Sequence, residues 1–245
     1  MSGLETLTVV MPVFNEEDSI AEALDEVRRF VLDVLPGSDC VAIDDGSTDA
    51  TLQILGGITA ADSRIAVIRQ ANAGHGAALR AGMERARGDW LFLLDSDRQM
   101  PLEAFGSLWA AVANRDAAFG VRAERHDPMA RLILSRLIAV TLRAIFGVSL
   151  RDANVPFKVI RRSVWVEARD MIPAGTLAPS LFLAVFAEVR RLHVVECDVP
   201  HMPRRSGVGS LRPLRLIRFC TRGFAQLVAF RIRLGSLRPK SPTTP

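Results

Sequence analysis

Trp90-Leu91-Phe92-Leu93-Leu94-Asp95-Ser96-Asp97-Arg98-Gln99 is the stretch whose reading decides the fold. Five apolar residues in a row read as a strand buried on both faces, as in parallel sheets covered by helices. Two carboxylates, one residue apart, follow at once. Held that close they repel each other, and each is costly to take out of water without a partner. A divalent cation removes both penalties. Hard oxygen ligands at the carboxyl end of a strand, where open α/β sheets bind their ligands, suit Mg²⁺ or Mn²⁺. Gln99 keeps the two-residue spacing and offers a carbonyl oxygen as a third ligand. An isolated Asp-x-Asp is more often a solvated turn. The rest of the chain reverses that reading.

The 245 residues are 49% hydrophobic, enough for one large domain or one with an appendage. Cys40, Cys197 and Cys220 form no CxxC pair; Cys40 and Cys197 sit in apolar strand-like stretches and read as buried, inert thiols of a reducing compartment. His75, His126, His193 and His201 show no ligand spacing, and none is assigned to a metal. The N-terminus lacks the basic region of a signal peptide, and every long apolar run is broken before the ~18 residues of a membrane span. Net charge is +4, and Lys158 and Lys240 are the only lysines. From Arg131 onward arginine dominates, which suggests an anionic partner for the C-terminal half: nucleic acid or an anionic membrane surface.

In chain order the first half alternates strands and helices. Leu7 to Met11 is a strand ended by Pro12, and Asp18 or Ser19 caps a helix carrying Ile20, Leu24, Val27 and Val31 inward. Cys40 to Ile43 is the second strand, running into Asp44-Asp45-Gly46-Ser47-Thr48-Asp49, whose Thr48 or Asp49 starts the next helix. Ile65 to Ile68 is the third. A helix after Asn72-Ala73-Gly74-His75-Gly76 runs through Arg87 and is ended by Gly88. This is βαβ winding with a mostly parallel sheet, and every polar cluster falls after a strand, on one edge. No complete glycine fingerprint for a dinucleotide is present.

Met11-Pro12-Val13-Phe14-Asn15-Glu16-Glu17, Asp44 to Asp49, the Asn72-x-Gly-x-Gly-x-Ala78 segment and Gly88-Asp89 leading to Asp95-Ser96-Asp97 resemble the family 2 inverting glycosyltransferases. Asp97-Arg98-Gln99-Met100-Pro101 is similar to the dolichol-phosphate mannose synthase branch, and the resemblance covers roughly residues 6 to 212. It implies a GT-A fold: a Rossmann-like, nucleotide-sugar-binding, mixed but mostly parallel sheet flanked by helices, with amphipathic helices at the C-terminus. It also implies that Pro12, Phe14, Glu16, Asp45 and Ser96 hold the nucleotide of a GDP- or UDP-sugar. Asp95, Asp97 and Gln99 would bind the Mg²⁺ or Mn²⁺ that ties down its diphosphate.

The second half carries the acceptor. Gly120-Val121-Arg122 follows a strand, Ala117 to Phe119, and Met129 to Phe146 reads as a helix. By resemblance Arg122 and Arg131 address phosphates, and Asp152 to Arg161 matches the family's Asp…Gly-Phe-Lys/Arg stretch, with Pro156 in the glycine's place. Pro200 to Ser210 resembles a loop closing over phosphates through Arg204, with Gly209 where a serine is expected. Asp152 is either an acceptor-side carboxylate or a structural group, a cap or a salt bridge. A phosphate acceptor is already ionised near neutral pH and needs no base, which suits arginines rather than a carboxylate. Pro213 to Leu234 places Arg215, Arg218, Arg222 and Arg233 on one helical face, with Leu216, Phe219, Leu227 and Phe230 elsewhere: an interfacial amphipathic helix, or one that docks on the domain or on a partner.

The expected organisation is a catalytic domain over 1–212, an amphipathic, membrane-interface helix over 213–234 and a disordered tail over 235–245. The expected enzyme is a cytoplasmic, peripherally membrane-associated transferase that moves a sugar to a polyprenyl phosphate, alone or with a membrane partner protein, and binds no nucleic acid. The alternatives are a hydroxyl acceptor on a lipid or glycan, and a non-catalytic module of the same fold.

Overall fold

The computed structural model describes residues 5–123, 129–202 and 213–235, with side chains described for 5–123, 134–202 and 221–235. Seven strands form one sheet: β1 (Leu7–Val13), β2 (Asp39–Asp44), β3 (Ile65–Arg69), β4 (Trp90–Leu94), β5 (Ala117–Arg122), β6 (Phe157–Arg161) and β7 (Val194–Val199). Their order is β3-β2-β1-β4-β6-β5-β7. Pairing is parallel except that β6 runs against both β4 and β5. The carboxyl ends of the six parallel strands therefore open on one edge, and the segment entering β6 returns to that edge.

Among the described residues eight α-helices accompany the sheet: α1 (Ile20–Val27), α2 (Thr51–Ala61), α3 (His75–Arg85), α4 (Phe105–Ala111), α5 (Met129–Phe146), α6 (Arg162–Ala168), α7 (Pro179–Val189) and α8 (Pro213–Gly235). Alternate strand residues serve opposite faces. Leu7, Val9, Met11, Phe92 and Phe157 pack with Leu24 of α1, Leu55 of α2 and Phe105 of α4. Val10, Leu91, Leu93 and Phe119 pack on the other face with Leu79 of α3, Trp165 of α6 and Phe186 of α7. Each such side chain contributes roughly 1.5–3 kcal/mol of transfer free energy. α7 is buried all round from Pro179 to Ala187, as a helix through the middle of a core must be.

Several boundaries differ from the sequence expectation. β1 runs past Pro12 to Val13. Its ladder to β4 stops at Val10, so Pro12 lies where only β2 is paired and its missing N–H costs less. Ser19 precedes α1 without capping it, since its hydroxyl bonds Glu16 Oε2 at 2.7 Å. α2 begins at Thr51 rather than at Thr48 or Asp49, because Asp49 Oδ1 accepts the Thr51 N–H at 3.0 Å and folds the chain into a turn first. α3 stops at Arg85, two residues short, since Gly88 must meet β1: a Cβ there would stand 2.7 Å from Thr8 N. β5 extends through Arg122, which is its last residue instead of a loop residue. Cys40 is buried, but Cys197, on edge strand β7, is only half-buried.

α8 docks on the domain through Leu227, Phe230 and Leu234, and Phe230 meets Phe182 edge-on at 5.1 Å. Arg222 and Arg233, expected on a common face, donate to the carbonyls of Gly175 (3.0 Å) and Met171 (3.2 Å). Phe224, Val228 and Ile232 form an exposed apolar stripe beside them, and Leu137 and Val140 of α5 are exposed too. The side chains of Arg215, Leu216, Arg218 and Phe219, and the tail 236–245, lie outside the described residues. Among the described residues no helix is long and apolar enough to cross a membrane.

Candidate active site

The loops after β1 and β2 are laced together. Asn15, in the left-handed region at φ 52°, donates its N–H to Ser47 Oγ at 3.0 Å, and its Oδ1 accepts the Thr48 N–H at 2.9 Å. The Glu16 N–H donates to Thr51 Oγ1 at 2.9 Å. Asp45, just beyond β2, spends both oxygens on the turn before α3: Gln70 Nε2 (2.7 Å) and the Ala73 N–H (2.9 Å) on Oδ1, the Gly74 N–H (2.8 Å) on Oδ2. A buried carboxylate satisfied by three donors holds one geometry. That geometry sets the start of α3.

His75 opens α3, and its Nε2 lies 2.8 Å from Asp95 Oδ1. The Asp95 charge is the main influence raising the imidazole pKa, against partial burial, and Asp97 and Asp45 add to it. Asp97 Oδ1 accepts the Gln99 N–H at 3.1 Å. Between them Arg98 adopts φ 55° and is clamped to α1 by Glu22 and by Glu26, the latter 2.5 Å away. Gln99 is drawn toward the chain leaving β7: its Nε2 donates to Met202 O at 3.3 Å, and its own carbonyl accepts the Met202 N–H at 2.8 Å.

Pro12, Phe14, Glu16, Asp45, Asp95, Ser96 and Asp97 line one cavity of about 370 Å³, which His75 also enters. Gln99, Arg122 and Asp152 are not among its lining residues. Arg122 instead forks onto Asp152, Nε to Oδ2 at 2.7 Å and Nη2 to Oδ1 at 3.0 Å. Arg131 belongs to the first turn of α5 with its side chain outside the described residues, and Arg204 and the loop 203–210 lie outside them altogether. Lys158 is fully buried, bonds the carbonyls of Ala153 (3.0 Å) and Val155 (2.5 Å), and thereby ties down the turn entering β6. Burial pushes its ammonium pKa down to about 7.

Two further spaces adjoin the polar cavity. One of about 100 Å³ shares His75 and Asp95 with it. The other, an apolar cleft of about 470 Å³ between α5, α7 and α8, shares Asn154, Leu177 and Ala178 with the small one. Sequence reading missed His75, set aside for lack of ligand spacing, although its place at a helix start after β3 was the available signal. It also missed Asn154 and Ser180, which line the small cavity. Only folding brings them there.

The donor set suits a divalent cation. Asp95 and Asp97 are hard oxygen ligands at a strand end, and the negative field they make with Asp45 is read out by His75. Among the described residues no three His, Cys, Asp or Glu side chains are grouped to hold a metal unaided, so further ligands must come from elsewhere, as from substrate oxygens.

Comparisons with known proteins agree with this arrangement. The undecaprenyl-phosphate 4-deoxy-4-formamido-L-arabinose transferase of Pseudomonas aeruginosa (strain LESB58) is 32% identical over 217 residues, 87% of this chain. The chain spans 62% of that relative's length. Among solved structures, glucosyl-3-phosphoglycerate synthase from Mycobacterium tuberculosis in complex with UDP matches 93% of this chain and 80% of its own, with TM-score 0.65 and 20% identity. S. aureus TarS in complex with UDP-GlcNAc matches 96% of this chain and 68% of its own, also with TM-score 0.65 and 20% identity. At that identity the likeness is one of fold, and the fold is the GT-A type. The glycosyl transferase family 2 profile covers residues 8–172, from β1 through the site loops to the turn after α6, and the chain belongs to that family.

Proposed function

We propose that the protein transfers a sugar, with inversion, from a GDP- or UDP-linked donor to the phosphate of a polyprenyl phosphate, with Mg²⁺ or Mn²⁺ held by Asp95, Asp97 and Gln99. The observation that carries this reading is the continuity of the polar cavity, the small cavity and the apolar cleft through shared walls. A charged donor, a phosphate and a prenyl chain need that sequence of environments. The name of the Pseudomonas aeruginosa relative supports the acceptor class, and Mn²⁺ in a complex of the mycobacterial synthase supports the metal.

When bound, the cation neutralises charge that builds on the departing diphosphate. The chain's own residues do the rest. Pro12, Phe14, Glu16, Asp45 and Ser96 hold and orient the nucleotide. The acceptor phosphate oxygen bonds to the anomeric carbon as the carbon–oxygen bond to the diphosphate breaks, the electron pair leaving with the diphosphate. No proton has to be removed from a phosphate nucleophile, so no general base is required. Arg122, oriented by Asp152, with Arg131 and Arg204, positions the acceptor through charge-assisted bonds. The exposed stripe Phe224, Val228 and Ile232, flanked by arginines, rests on an anionic membrane surface or against a membrane partner protein.

Nucleoside diphosphate release from a panel of nucleotide sugars, with and without Mn²⁺ and polyprenyl phosphate, tests the proposal. Release should require both additions, and Asp97→Asn should lower it at least about a hundredfold with the fold retained. Equal release to soluble alcohols, with no gain from polyprenyl phosphate, would favour the hydroxyl-acceptor reading. Near-normal release by Asp97→Asn in EDTA would remove the metal.

A further inference from the structure

Two helices aim their amino ends at the small cavity. His75 is the first residue of α3 and Ser180 the second of α7, and both line it. Each helix has 11 residues, long enough to carry a fractional positive charge at this end. Packing holds the two ends together. Gly76 lies so close to the segment before α7 that a Cβ would stand 2.1 Å from Thr176 O.

The α7 end has no cap of its own. Ala178 precedes it without a polar side chain, and Pro179 has no N–H. The first turn closes through the Leu181 N–H to Ala178 O at 3.0 Å, while the Ser180 N–H makes no backbone bond among the described residues. The Ser180 side chain is similarly unclaimed. The residue is 6% exposed, and its hydroxyl has no hydrogen-bond partner among the described residues. Both donors stand open on the wall of one cavity, where an anionic ligand can accept from them. Neither helix has an acid in its first turn, and the one carboxylate lining the cavity, Asp95, is already paired with His75.

We propose that this cavity receives the acceptor's phosphate on the Ser180 N–H and hydroxyl at the converging ends of α3 and α7, with the first isoprene units in the adjoining apolar cleft. The site rests on the polyprenyl-phosphate reading above and gives it a location. Open amides at a helix start are a ready anion site, and an uncapped one with no acid in its own first turn favours anions over sugar hydroxyls. The wall shared with the donor cavity, His75 and Asp95, puts a phosphate oxygen beside the reacting carbon. The wall shared with the cleft, Leu177 and Ala178, lets an attached chain run on among apolar side chains such as Leu181, Phe224 and Leu227.

The experiment measures binding of farnesyl phosphate, farnesol and inorganic phosphate to the full chain by calorimetry, together with KM for farnesyl phosphate and for the sugar donor. Ser180→Ala should weaken farnesyl phosphate about tenfold, the loss of one charge-assisted hydrogen bond, and the donor much less. Ser180→Asp puts a carboxylate at a helix start, where it stabilises the helix, so the melting temperature should hold while farnesyl phosphate binding is lost. Farnesyl phosphate bound by Ser180→Asp as by the native protein overturns the site. So does a donor KM that rises as far as the acceptor KM, which would assign the cavity to the donor sugar. Inorganic phosphate binding as tightly as farnesyl phosphate overturns the role of the cleft. If the native protein uses only hydroxyl acceptors and ignores farnesyl phosphate, the proposed function falls and the site with it. If it uses farnesyl phosphate and both variants match it, only the site falls.

Discussion

His75 Nε2 and Asp95 Oδ1, 2.8 Å apart, join the first residue of α3 to the carboxylate that ends β4. The pair makes the imidazole a reporter of the charge in the donor cavity. In metal-free protein, the NMR titration of His75 should lie above the usual histidine range, because the Asp95 charge outweighs partial burial. This pairing stabilises the fold below the free-histidine pKa and is lost as pH rises through the folded value. Asp95→Asn should bring the titration down, and so should Mg²⁺ if the carboxylates bind it. A His75 pKa unmoved by Asp95→Asn would sink the assignment.

Arg98 is held in a left-handed conformation by two carboxylates of α1. Its backbone sets how Asp97 and Gln99 leave the strand end, so Arg98→Leu should raise the Mn²⁺ concentration for half-maximal activity several-fold. Glu26→Gln should do the same more weakly, since it removes one of the two partners. The loop has another anchor if Mn²⁺ activation is unchanged in both.

Arg122 and Asp152 form a forked, buried ion pair at the ends of β5 and of the turn into β6. Removing one partner of such a pair typically costs about 3–5 kcal/mol, while replacing both by apolar groups is often neutral. Denaturant unfolding of Asp152→Ala should show a loss of that size, and the double variant Arg122→Met with Asp152→Leu should recover most of it. A stable double variant with full transfer would strip both residues of any role in the reaction.

Lys158 is buried with its pKa lowered to about 7 from 10.5, chiefly by desolvation. Between those values the unfolded chain binds the extra proton, so stability rises with pH there, by at most about 1.4 kcal/mol per unit. Unfolding midpoints of the native protein should gain on those of Lys158→Met from pH 7 to 10. Parallel pH dependences would mean that Lys158 stays charged when buried.

Local sequence determined β1 to β5 and where chemistry collects; β6 and β7 were not read as elements. Runs such as Trp90 to Leu94 have no stable place except between two helical layers, and acids that follow them at once must lie on the strand-end edge. The bounds of α5 follow from its apolar period, and those of α8 came within one residue of Gly235. Strand order was beyond such reading. Nothing local to β6 says that it runs antiparallel between β4 and β5, yet that reversal returns Asp152 and Asn154 to the edge that carries Asp95 and Arg122. Helical periodicity likewise aligned Arg222 and Arg233 but could not show that carbonyls of the 171–175 segment meet them, because period fixes a direction and not what lies along it. Ser180 makes the same point most sharply: as a serine after a proline it is a common helix start, and it becomes an open donor in a cavity only when Gly76, about a hundred residues away, lets α3 close against the segment before it. Patterns of burial are written residue by residue, while a site that converges from distant segments is decided by how the layers pack.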